Sequence, residues 1–284
     1  MDGMYEIVDH YIRAALREDV GTGDVTTEAI IPPSLHARGW WIAKEEGVVA
    51  GVAFAEQFWK TIDASAIVEP RVRDGDAISP GTVIMGVRSR AQTLLIGERT
   101  MLNIVQYMSG IATNVRRMVD AIRDTGAVLL DTRKVLPMHR TLAKWAVRIG
   151  GGQNYRMGLY DRYFIKNNHI DLCGGIPRAI EAVHRHRART GSQLPITIEV
   201  RNFDELEEVL QCGGVDRILL DNFDPPALRQ AVQRVDGRFE TEASGGIHLG
   251  NVRAYALTGV DYISSGSLTH SVQALDMHFR IEIS

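Results

Sequence analysis

Apolar runs that alternate with amphipathic helical segments after Gly126 constrain the fold more than any other feature of this chain. Six such runs follow one another: AVLLDTRK, YFIKNNHI, PITIEVRN, DRILLDNF, FETEASGG and DYISSGS. The last four begin near residues 195, 216, 239 and 261, which is 21 to 23 residues apart. Strands and helices that alternate in this way are typical of βα units in a parallel sheet. Because a parallel sheet of this size must cover both faces or close on itself, we expect a β/α barrel, with a doubly wound open sheet as the alternative.

The chain before Gly126 has a different pattern. Between residues 38 and 87, short β-like runs are separated by Gly, Asp and Pro turns, with one helix predicted over Phe54–Ile62. A long helical stretch starts at Gln92, and the Ser109-Gly110 pair predicts a break in it. We expect an N-terminal α+β domain over residues 1–109 and a barrel domain with the active site over residues 110–270. The C-terminal tail, residues 271–284, is expected to pack on the N-terminal domain.

Composition narrows the class of function. The 284 residues carry a formal net charge of −3, whereas proteins that bind nucleic acid or membrane surfaces usually have a basic excess. Two cysteines are too few for a disulfide framework, which favours a reducing compartment. The acidic, amphipathic N-terminus does not resemble a signal peptide, and no apolar run approaches the ~20 residues that cross a bilayer. We expect a cytoplasmic enzyme with small-molecule substrates and with neither nucleic acid nor membrane as a partner.

Polar side chains follow each of the six apolar runs. In a β/α barrel the carboxyl ends of all strands meet on one rim, where the active site lies. A single charged residue after a strand is usually only a solvated edge, but six such ends together predict a site. The residues concerned are Asp131, Thr132, Arg133 and Lys134, then Lys166 to His169, Glu199, Asp221 with Asn222, Glu242 with Ser244 to Gly246, and Ser264 to Ser267.

Two of these strand ends are rich in glycine and serine. The segments SGGIHLGNV and SSGSLTHS follow the last two predicted strands, where barrel loops often bind a phosphate. Glycine permits close approach of the backbone to an anion, and serine adds hydroxyl donors. Ordinary turn chemistry is the alternative. The predicted phosphate-binding residues are Ser244, Gly245, Gly246, Ser265, Gly266 and Ser267.

Cations and carboxylates are predicted to face each other across this rim. Arg133, Lys134 and Lys166 end neighbouring strands, and guanidinium groups suit carboxylate and phosphate ligands. Glu199 and Asp221 could coordinate Mg²⁺ or stabilise a cationic transition state. The residues alone therefore indicate a barrel enzyme that uses a metal and a phosphorylated, polyanionic substrate. A Schiff base on Lys134 or Lys166 is a less favoured alternative.

These motifs together resemble the quinolinate phosphoribosyltransferase family. The resemblance extends nearly end to end, through ALREDVGTGDVTTEAIIP, KEEGVVAGV, GERTMLNIVQYMSGIAT, DTRK, GGGQN followed by R, IKNNHI, IEV, LLDN, EASGGI and ISSGSLTHS. It implies the type II phosphoribosyltransferase fold, an open β/α barrel with a smaller N-terminal α+β sandwich domain. It also implies a homodimer, and Mg²⁺ as cofactor. The implied reaction converts quinolinate and phosphoribosyl pyrophosphate to nicotinate mononucleotide, pyrophosphate and CO₂ in NAD biosynthesis.

The resemblance also assigns roles to residues. Arg99 resembles an arginine donated across the dimer interface to a quinolinate carboxylate, and Arg133, Arg156 and Lys166 resemble the groups around the two carboxylates. Lys134 would meet phosphoribosyl pyrophosphate, and Glu199 and Asp221 would lie near the ribose and the metal, bound directly or through water. Lys134, Lys166, Glu199 and Asp221 are the implied catalytic residues. Thr132, Tyr155 and His270 complete the implied substrate-binding set, and the serine–glycine loops would hold the 5′-phosphate.

Two positions depart from the family pattern. After DTRK the family usually continues Thr-Thr-Pro-Gly, where this chain has Val135-Leu136-Pro137-Met138. A family histidine is replaced by Tyr155, which can donate a hydrogen bond but cannot become cationic near neutral pH. Both changes lie beside the predicted base pocket. A phosphoribosyltransferase for another heteroaromatic carboxylate, or a non-catalytic ligand-binding paralogue, are the alternative functions, and oligomerisation beyond a dimer stays open.

Overall fold

The computed structural model describes residues 2–283, with side chains from residue 7 onward. Met1 and Ser284, which the predicted domain ranges include, lie outside the described residues. The chain divides into two compact units, Met1–Thr113 with Val272–Ser284, and Asn114–Ser271.

The first unit contains a four-stranded antiparallel sheet. Its helices are α1 (Asp2–Val20), α2 (Val25–Ile30), α3 (Val52–Ile62) and the start of α4 (Ala91–Ile122). Its strands are β1 (His36–Ala43), β2 (Gly47–Val48), β3 (Ile67–Pro70), β4 (Ala77–Ile78), β5 (Val83–Arg90) and β12 (Met277–Ile283). The sheet order is β12-β1-β5-β3, while β2 and β4 pair separately. The C-terminal strand β12 thus belongs to the same sheet as β1.

Strict alternation along β1 builds the core of this unit. Successive side chains of a strand point to opposite faces, and in HARGWWIA every second residue is buried, Trp41 completely. Gly39 shares the buried face, and a Cβ there would lie 2.2 Å from the Phe279 ring. Phe279 in turn stacks on Trp59 of α3 with ring centroids 5.3 Å apart. Glycine at position 39 therefore makes room for an aromatic layer between sheet and helix.

The predicted break at Ser109-Gly110 is wrong, because α4 continues through both residues. The Ser109 hydroxyl accepts a hydrogen bond from Ala50 N at 2.9 Å and donates to Ala50 O at 3.2 Å. A Cβ on Gly110 would lie 2.2 Å from the Gln273 carbonyl oxygen. Both residues are small because other chain segments pack closely here, so tertiary contacts override the helix-breaking tendency that the sequence suggests.

The second unit contains a six-stranded parallel sheet. Its strands are β6 (Val128–Leu130), β7 (Tyr163–Ile165), β8 (Ile196–Val200), β9 (Arg217–Asp221), β10 (Glu240–Ser244) and β11 (Tyr262–Ser264). Its helices, besides the end of α4, are α5 (Arg140–Gly150), α6 (Asn167–Cys173), α7 (Ile176–Thr190), α8 (Phe203–Cys212), α9 (Pro225–Val235), α10 (Val252–Ala256) and α11 (Ser267–His270). The order β6-β11-β10-β9-β8-β7 places the first strand beside the last, as in a barrel. The β/α barrel is confirmed, and the doubly wound alternative is wrong.

The barrel is open between β6 and β7, which are the edges of the sheet. A short segment around Gln153 covers the free edge of β6. Gln153 N donates to Leu129 O at 2.9 Å, and Asp131 N donates to Gln153 O at 3.1 Å. The segment that leads to Tyr155 and Arg156 is therefore held against the end of β6.

Helix α6 has no counterpart among the expected elements. It begins directly after the strand in IKNNHI, where the sequence favours a polar strand end. His169 Nδ1 accepts a hydrogen bond from Lys166 N at 2.9 Å and so caps the helix start. Seven residues are too few to show helical periodicity. Among the described helices, none combines the length and apolarity needed to cross a bilayer.

Candidate active site

A cavity of about 720 Å³ opens at the carboxyl ends of the barrel strands in the second unit. Most of the side chains singled out in the sequence surround it. The predicted residues that line it are Thr132, Arg133, Lys134, Tyr155, Arg156, Lys166, Glu199, Asp221, Asn222, Glu242, Ser244, Gly245, Gly246, Ser264, Gly266, Ser267 and His270. The parallel topology thus brings residues that are spread over 139 positions of the chain to one rim.

Of the predicted polar strand ends, Asp131 and residues 167–169 do not line this cavity in the described structure. Neither do Arg99 and Ser265, to which the resemblance assigns binding roles. Arg99 is exposed on α4, in the first unit. Ser265 is 1% exposed, and its hydroxyl donates to the Ile247 carbonyl at 2.6 Å. Ser265 therefore fixes the neighbouring glycine-rich loop and does not present its hydroxyl to the cavity.

The cationic side of the cavity is organised by an aromatic ring. Phe164 lies 4.8 Å from the Arg156 guanidinium carbon and 5.1 Å from Lys166 Nζ, both measured to the ring centroid. Such cation–π contacts orient a cation without neutralising it. Arg156 is only 7% exposed, and its pKa is lowered by burial and by the charge of Arg133 nearby. A partly desolvated pair of like charges has much to gain from an anionic ligand, so this side of the cavity suits a carboxylate.

Two carboxylates face the cations. Glu199 points from β8 and is 8% exposed, and Asp221 ends β9. Burial raises the pKa of both groups, and the charge of Asp221 raises that of Glu199 further. The charge of Lys134 opposes the rise in the pKa of Asp221. Two half-desolvated carboxylates that repel each other favour a cation between or beside them.

These carboxylates fit a magnesium ion that is shared with a substrate. No group of three or more His, Cys, Asp or Glu side chains suited to a metal occurs among residues 2–283. Mg²⁺ commonly binds through one or two carboxylates, several waters and substrate phosphate oxygens, so Glu199 and Asp221 would be sufficient protein ligands.

The glycine-rich loops form the opposite wall. Gly245 has φ of 104°, and a Cβ there would lie 2.2 Å from Asn222 Oδ1 and 3.0 Å from Asn222 N. Asn222 itself has a left-handed backbone (φ 58°) and donates through Nδ2 to Asp221 Oδ2 at 2.8 Å. Gly266 is equally constrained, since a Cβ would lie 2.8 Å from Lys134 Cδ. Glycine at both positions keeps the backbone close to the charged residues and open to an anion.

The floor of the cavity is apolar and aromatic around one buried charge. The Tyr155 ring meets Phe164 edge-on with centroids 5.7 Å apart, and burial raises the pKa of Tyr155 to about 12. Glu242 is fully buried and accepts a hydrogen bond from Arg217 Nη1 at 3.1 Å. Tyr155 is therefore neutral at any physiological pH.

The segment Val135–Met138, which departs from the family pattern, lies outside this cavity. No residue of Val135–Met138 is among the cavity-lining residues of the described chain. Leu136 and Met138 are 49% and 86% exposed, and Met138 has a left-handed backbone with φ of 66°. Of the two departures, only Tyr155 borders the place where a ring would bind.

Several lining residues escaped the sequence analysis as members of the site. They are Phe164, Leu219, Ile247 and His248. Two of them lie two positions before a predicted site residue. Residues i and i+2 of a strand share a face, so Phe164 accompanies Lys166 and Leu219 accompanies Asp221. That alternation is the signal that would have found them.

Comparison with known proteins matches almost the whole chain to a single family. Residues 24–109 match the N-terminal domain and residues 111–280 the C-terminal domain of the quinolinate phosphoribosyl transferase family. A mitochondrial "quinolinate phosphoribosyltransferase [decarboxylating] 2" of Nicotiana glauca is 42% identical over 286 residues, or 95% of this chain and 81% of that protein. A probable carboxylating nicotinate-nucleotide pyrophosphorylase of Bacillus subtilis is 40% identical over 94% of this chain and 91% of that protein.

Solved structures give the same result. The nicotinate-nucleotide pyrophosphorylase of Francisella tularensis superposes with a TM-score of 0.91 at 33% identity, covering 98% of this chain and 97% of that one. NadC of Streptococcus pyogenes gives a TM-score of 0.91 at 34% identity, over 97% of this chain and 96% of that one.

Proposed function

Because this chain belongs to the quinolinate phosphoribosyltransferase family, we propose that it transfers phosphoribosyl from phosphoribosyl pyrophosphate to quinolinate with decarboxylation. The products are nicotinate mononucleotide, pyrophosphate and CO₂, and the reaction serves NAD biosynthesis. The observation that carries this proposal is the division of one cavity into a cationic side and a side of carboxylates and glycine loops. Relatives named for this reaction, at 40% and 42% identity over almost the entire chain, support it.

The cationic side would bind quinolinate, a pyridine with carboxylates on two adjacent ring carbons. Arg133, Arg156 and Lys166 supply donors for both carboxylates, and Phe164 and Tyr155 offer aromatic surface to the ring. Because Arg156 is almost fully buried, its contact with a carboxylate would be poorly screened by water.

The opposite side would bind phosphoribosyl pyrophosphate. The backbone of the Gly245 and Gly266 loops would hold the 5′-phosphate, with the Ser244 and Ser267 hydroxyls and His270 beside it. Lys134 would meet the pyrophosphate. Its main chain is anchored independently, since the Thr269 hydroxyl donates to the Lys134 carbonyl at 2.7 Å.

Magnesium is proposed as the cofactor, held by Glu199 and Asp221 directly or through water. When bound, the ion neutralises charge on the departing pyrophosphate. The two carboxylates also place negative potential near the anomeric carbon, where positive charge develops as the pyridine nitrogen attacks and pyrophosphate leaves. Burial raises the pKa of both groups, and carboxylates withdrawn from water are stabilised by nearby positive charge, so a cationic transition state is favoured.

Decarboxylation then follows from the charge on the ring. Once the ring nitrogen is bonded to ribose, the positive ring accepts the electron pair of the breaking carbon–carbon bond as the adjacent carboxylate leaves as CO₂. A proton from solvent then bonds to that ring carbon and completes nicotinate mononucleotide. The arginines hold the carboxylate that remains, and the apolar floor of Phe164 and Leu219 excludes water from the one that leaves.

A homodimer is proposed, with Arg99 of each subunit completing the other subunit's site. Apolar side chains are exposed on the loops beside the cavity, Leu136 and Met138 on one and Leu159 and Tyr160, at 73% and 74% exposure, on the next. Arg140 links these loops by donating to the Met157 carbonyl at 3.1 Å. Exposed apolar surface of this kind is typical of a protein interface. A cytoplasmic location is proposed as well, in keeping with the free cysteines Cys173 and Cys212.

The test is a product assay with Mg²⁺, phosphoribosyl pyrophosphate and, separately, quinolinate, nicotinate and other heteroaromatic acids. Nicotinate mononucleotide and CO₂ from quinolinate alone are expected, and Lys166→Met should abolish both. Pyrophosphate release with another acid and none with quinolinate would favour the alternative substrate, for which the position of Tyr155 in the cavity is the specific reason. Binding without turnover of any acid would identify a non-catalytic paralogue.

A further inference from the structure

A buried ion pair lies directly behind the cationic side of the cavity. Asp131 is 0% exposed and Lys144, on α5, is 2% exposed, and the lysine ammonium donates to Asp131 Oδ1. Neither residue lines the cavity in the described structure. Burial lowers the pKa of Lys144, and the charge of Asp131 opposes that effect. Burial of these two charges costs desolvation free energy, and the pair does not contact a ligand in the cavity directly.

Asp131 collects hydrogen-bond donors from two other parts of the chain. Besides Lys144, Asn154 Nδ2 donates to Asp131 Oδ2 at 2.6 Å, and Tyr155 N donates to Oδ1 at 2.9 Å. Asn154 Nδ2 also lies 2.8 Å from the Lys144 carbonyl oxygen, to which it donates. The end of β6, helix α5 and the segment before β7 therefore meet at one carboxylate.

The residues that follow these anchor points are the cations of the site. Thr132 and Arg133 come directly after Asp131, and Arg156 comes directly after Tyr155. Burial lowers the pKa of Arg156, and the repelling charge of Arg133 lowers it further. Without a restraint, two loops at the open side of the barrel would move apart to relieve that repulsion. Asp131 and its donors provide the restraint.

Stability alone does not account for this pair. Apolar residues of similar volume in place of a buried ion pair are often as stable or more so, whereas removal of one partner leaves a costly unpaired charge. An ion pair does fix geometry, because the hydrogen bonds at Asp131 set the direction of helix α5 and of the segment before β7. Fixed geometry matters most where two cations must meet two carboxylates at once.

We propose that Asp131 and Lys144 form a clamp, with Asn154 as its third member, that positions Arg133 and Arg156 for a ligand with two adjacent carboxylates. They are positioning residues, since they act through the arginines. The identity of that ligand as quinolinate rests on the proposed function, but the preference for paired carboxylates does not. Lys134 should be less affected, because Thr269 holds its main chain from another element.

The variants Asp131→Asn and Lys144→Met test the clamp. Each should raise the KM for quinolinate about tenfold or more, because loss of alignment by a fraction of an ångström weakens both carboxylate contacts. The KM for phosphoribosyl pyrophosphate should stay within about twofold of the wild type. Asn154→Ala keeps both charges and removes one donor, so it tests the same idea if the charge variants fail to fold, with an expected rise in KM of about threefold for quinolinate alone.

Asp63→Asn is the matched control. Asp63 is a carboxylate of the first unit, 8% exposed, which accepts hydrogen bonds from the Ser89 hydroxyl at 2.6 Å and from Ser65 N at 2.9 Å. Its loss should lower the melting temperature but leave both KM values unchanged. If both KM values rise together in the Asp131 and Lys144 variants, or if Asp63→Asn raises the KM for quinolinate equally, the clamp has only a structural role and the proposal is wrong.

Direct binding of phthalate separates this proposal from the proposed function. Phthalate carries the same pair of adjacent carboxylates on a ring without a nitrogen to attack. By calorimetry, its Kd should rise in the clamp variants by the same factor as the KM for quinolinate. A wild type that does not turn over quinolinate but binds phthalate, with weaker binding in Asp131→Asn, refutes the proposed function and supports the clamp. A wild type that binds neither dicarboxylate refutes both.

Discussion

Replacement of Gly245 by alanine should damage the phosphate wall of the site much more than the same change at Gly246. Both residues have a left-handed backbone, with φ of 104° and 62°, so each alanine would incur about 1 kcal/mol of backbone strain. A Cβ at position 246 meets no atom within 4 Å, whereas at position 245 it would lie 2.2 Å from Asn222 Oδ1. The two variants thus share the backbone strain, and only Gly245→Ala adds a steric collision with Asn222.

The collision with Asn222 sets the difference in the free energy of unfolding between the two variants. Asn222 must move, and its hydrogen bond to Asp221 is lost, which adds about 1.5 kcal/mol or more at a charged acceptor. We expect Gly246→Ala to lower the free energy of unfolding by about 1 kcal/mol and Gly245→Ala by about 3 kcal/mol. For a unit of this size, 1 kcal/mol corresponds to roughly 2–4 °C in Tm, so losses of about 3 °C and 9 °C are expected.

Thermal unfolding followed by circular dichroism measures the loss of stability, and steady-state kinetics measures the effect on substrate binding. Gly245→Ala should also raise the KM for phosphoribosyl pyrophosphate, since both the loop and Asp221 are displaced, while the KM for quinolinate changes little. Equal losses of Tm in the two variants, or an unchanged KM for phosphoribosyl pyrophosphate in Gly245→Ala, would refute the reasoning.

Three further results are expected. Phe164→Leu should raise the KM for quinolinate about fivefold, because Arg156 and Lys166 lose an aromatic neighbour worth ~0.5–1 kcal/mol each, and an unchanged KM would remove Phe164 from the binding site. Tyr155→Phe should leave kcat/KM for quinolinate within about twofold, because the Tyr155 hydroxyl makes no hydrogen bond of good geometry with any described residue. The acid limb of the kcat/KM profile should lie at a pH above the ordinary glutamate pKa of 4.5, since burial raises the pKa of Glu199 and activity is lost as it becomes protonated; a limb below pH 4.5 would contradict this.

The sequence was sufficient for the barrel and for most of the rim. Runs such as PITIEV and DRILLD are apolar on both faces, as strands covered on both sides must be, and parallel topology then requires their polar ends to converge. The apolar residues one layer deeper were missed because an apolar side chain within a strand looks like core. Phe164 and Leu219 are examples, and only their i+2 relation to Lys166 and Asp221 marks them.

Long-range pairs could not be predicted. Lys144 lies in the helical run LAKWAV, where a lysine is usually assigned to the solvent face, and nothing local indicates that it meets Asp131 thirteen positions earlier. Ser109-Gly110 was misinterpreted for the same reason, because the contacts that keep α4 straight come from Ala50 and Gln273. In each case the deciding partner lies far away in the sequence.

The segment that covers the edge of β6 also has a consequence during synthesis. β6 pairs with β11, so Val128 must wait for Tyr262, 134 residues later in the chain, before its ladder can form. Gln153, which bonds to the other edge through Leu129, emerges only 24 residues after that residue. An unpaired apolar strand edge is a template for aggregation, and domains form as the chain leaves the ribosome. The segment that leads to Arg156 thus shields one edge of β6. Without it, both edges of that strand would be exposed for most of the time the barrel takes to be made.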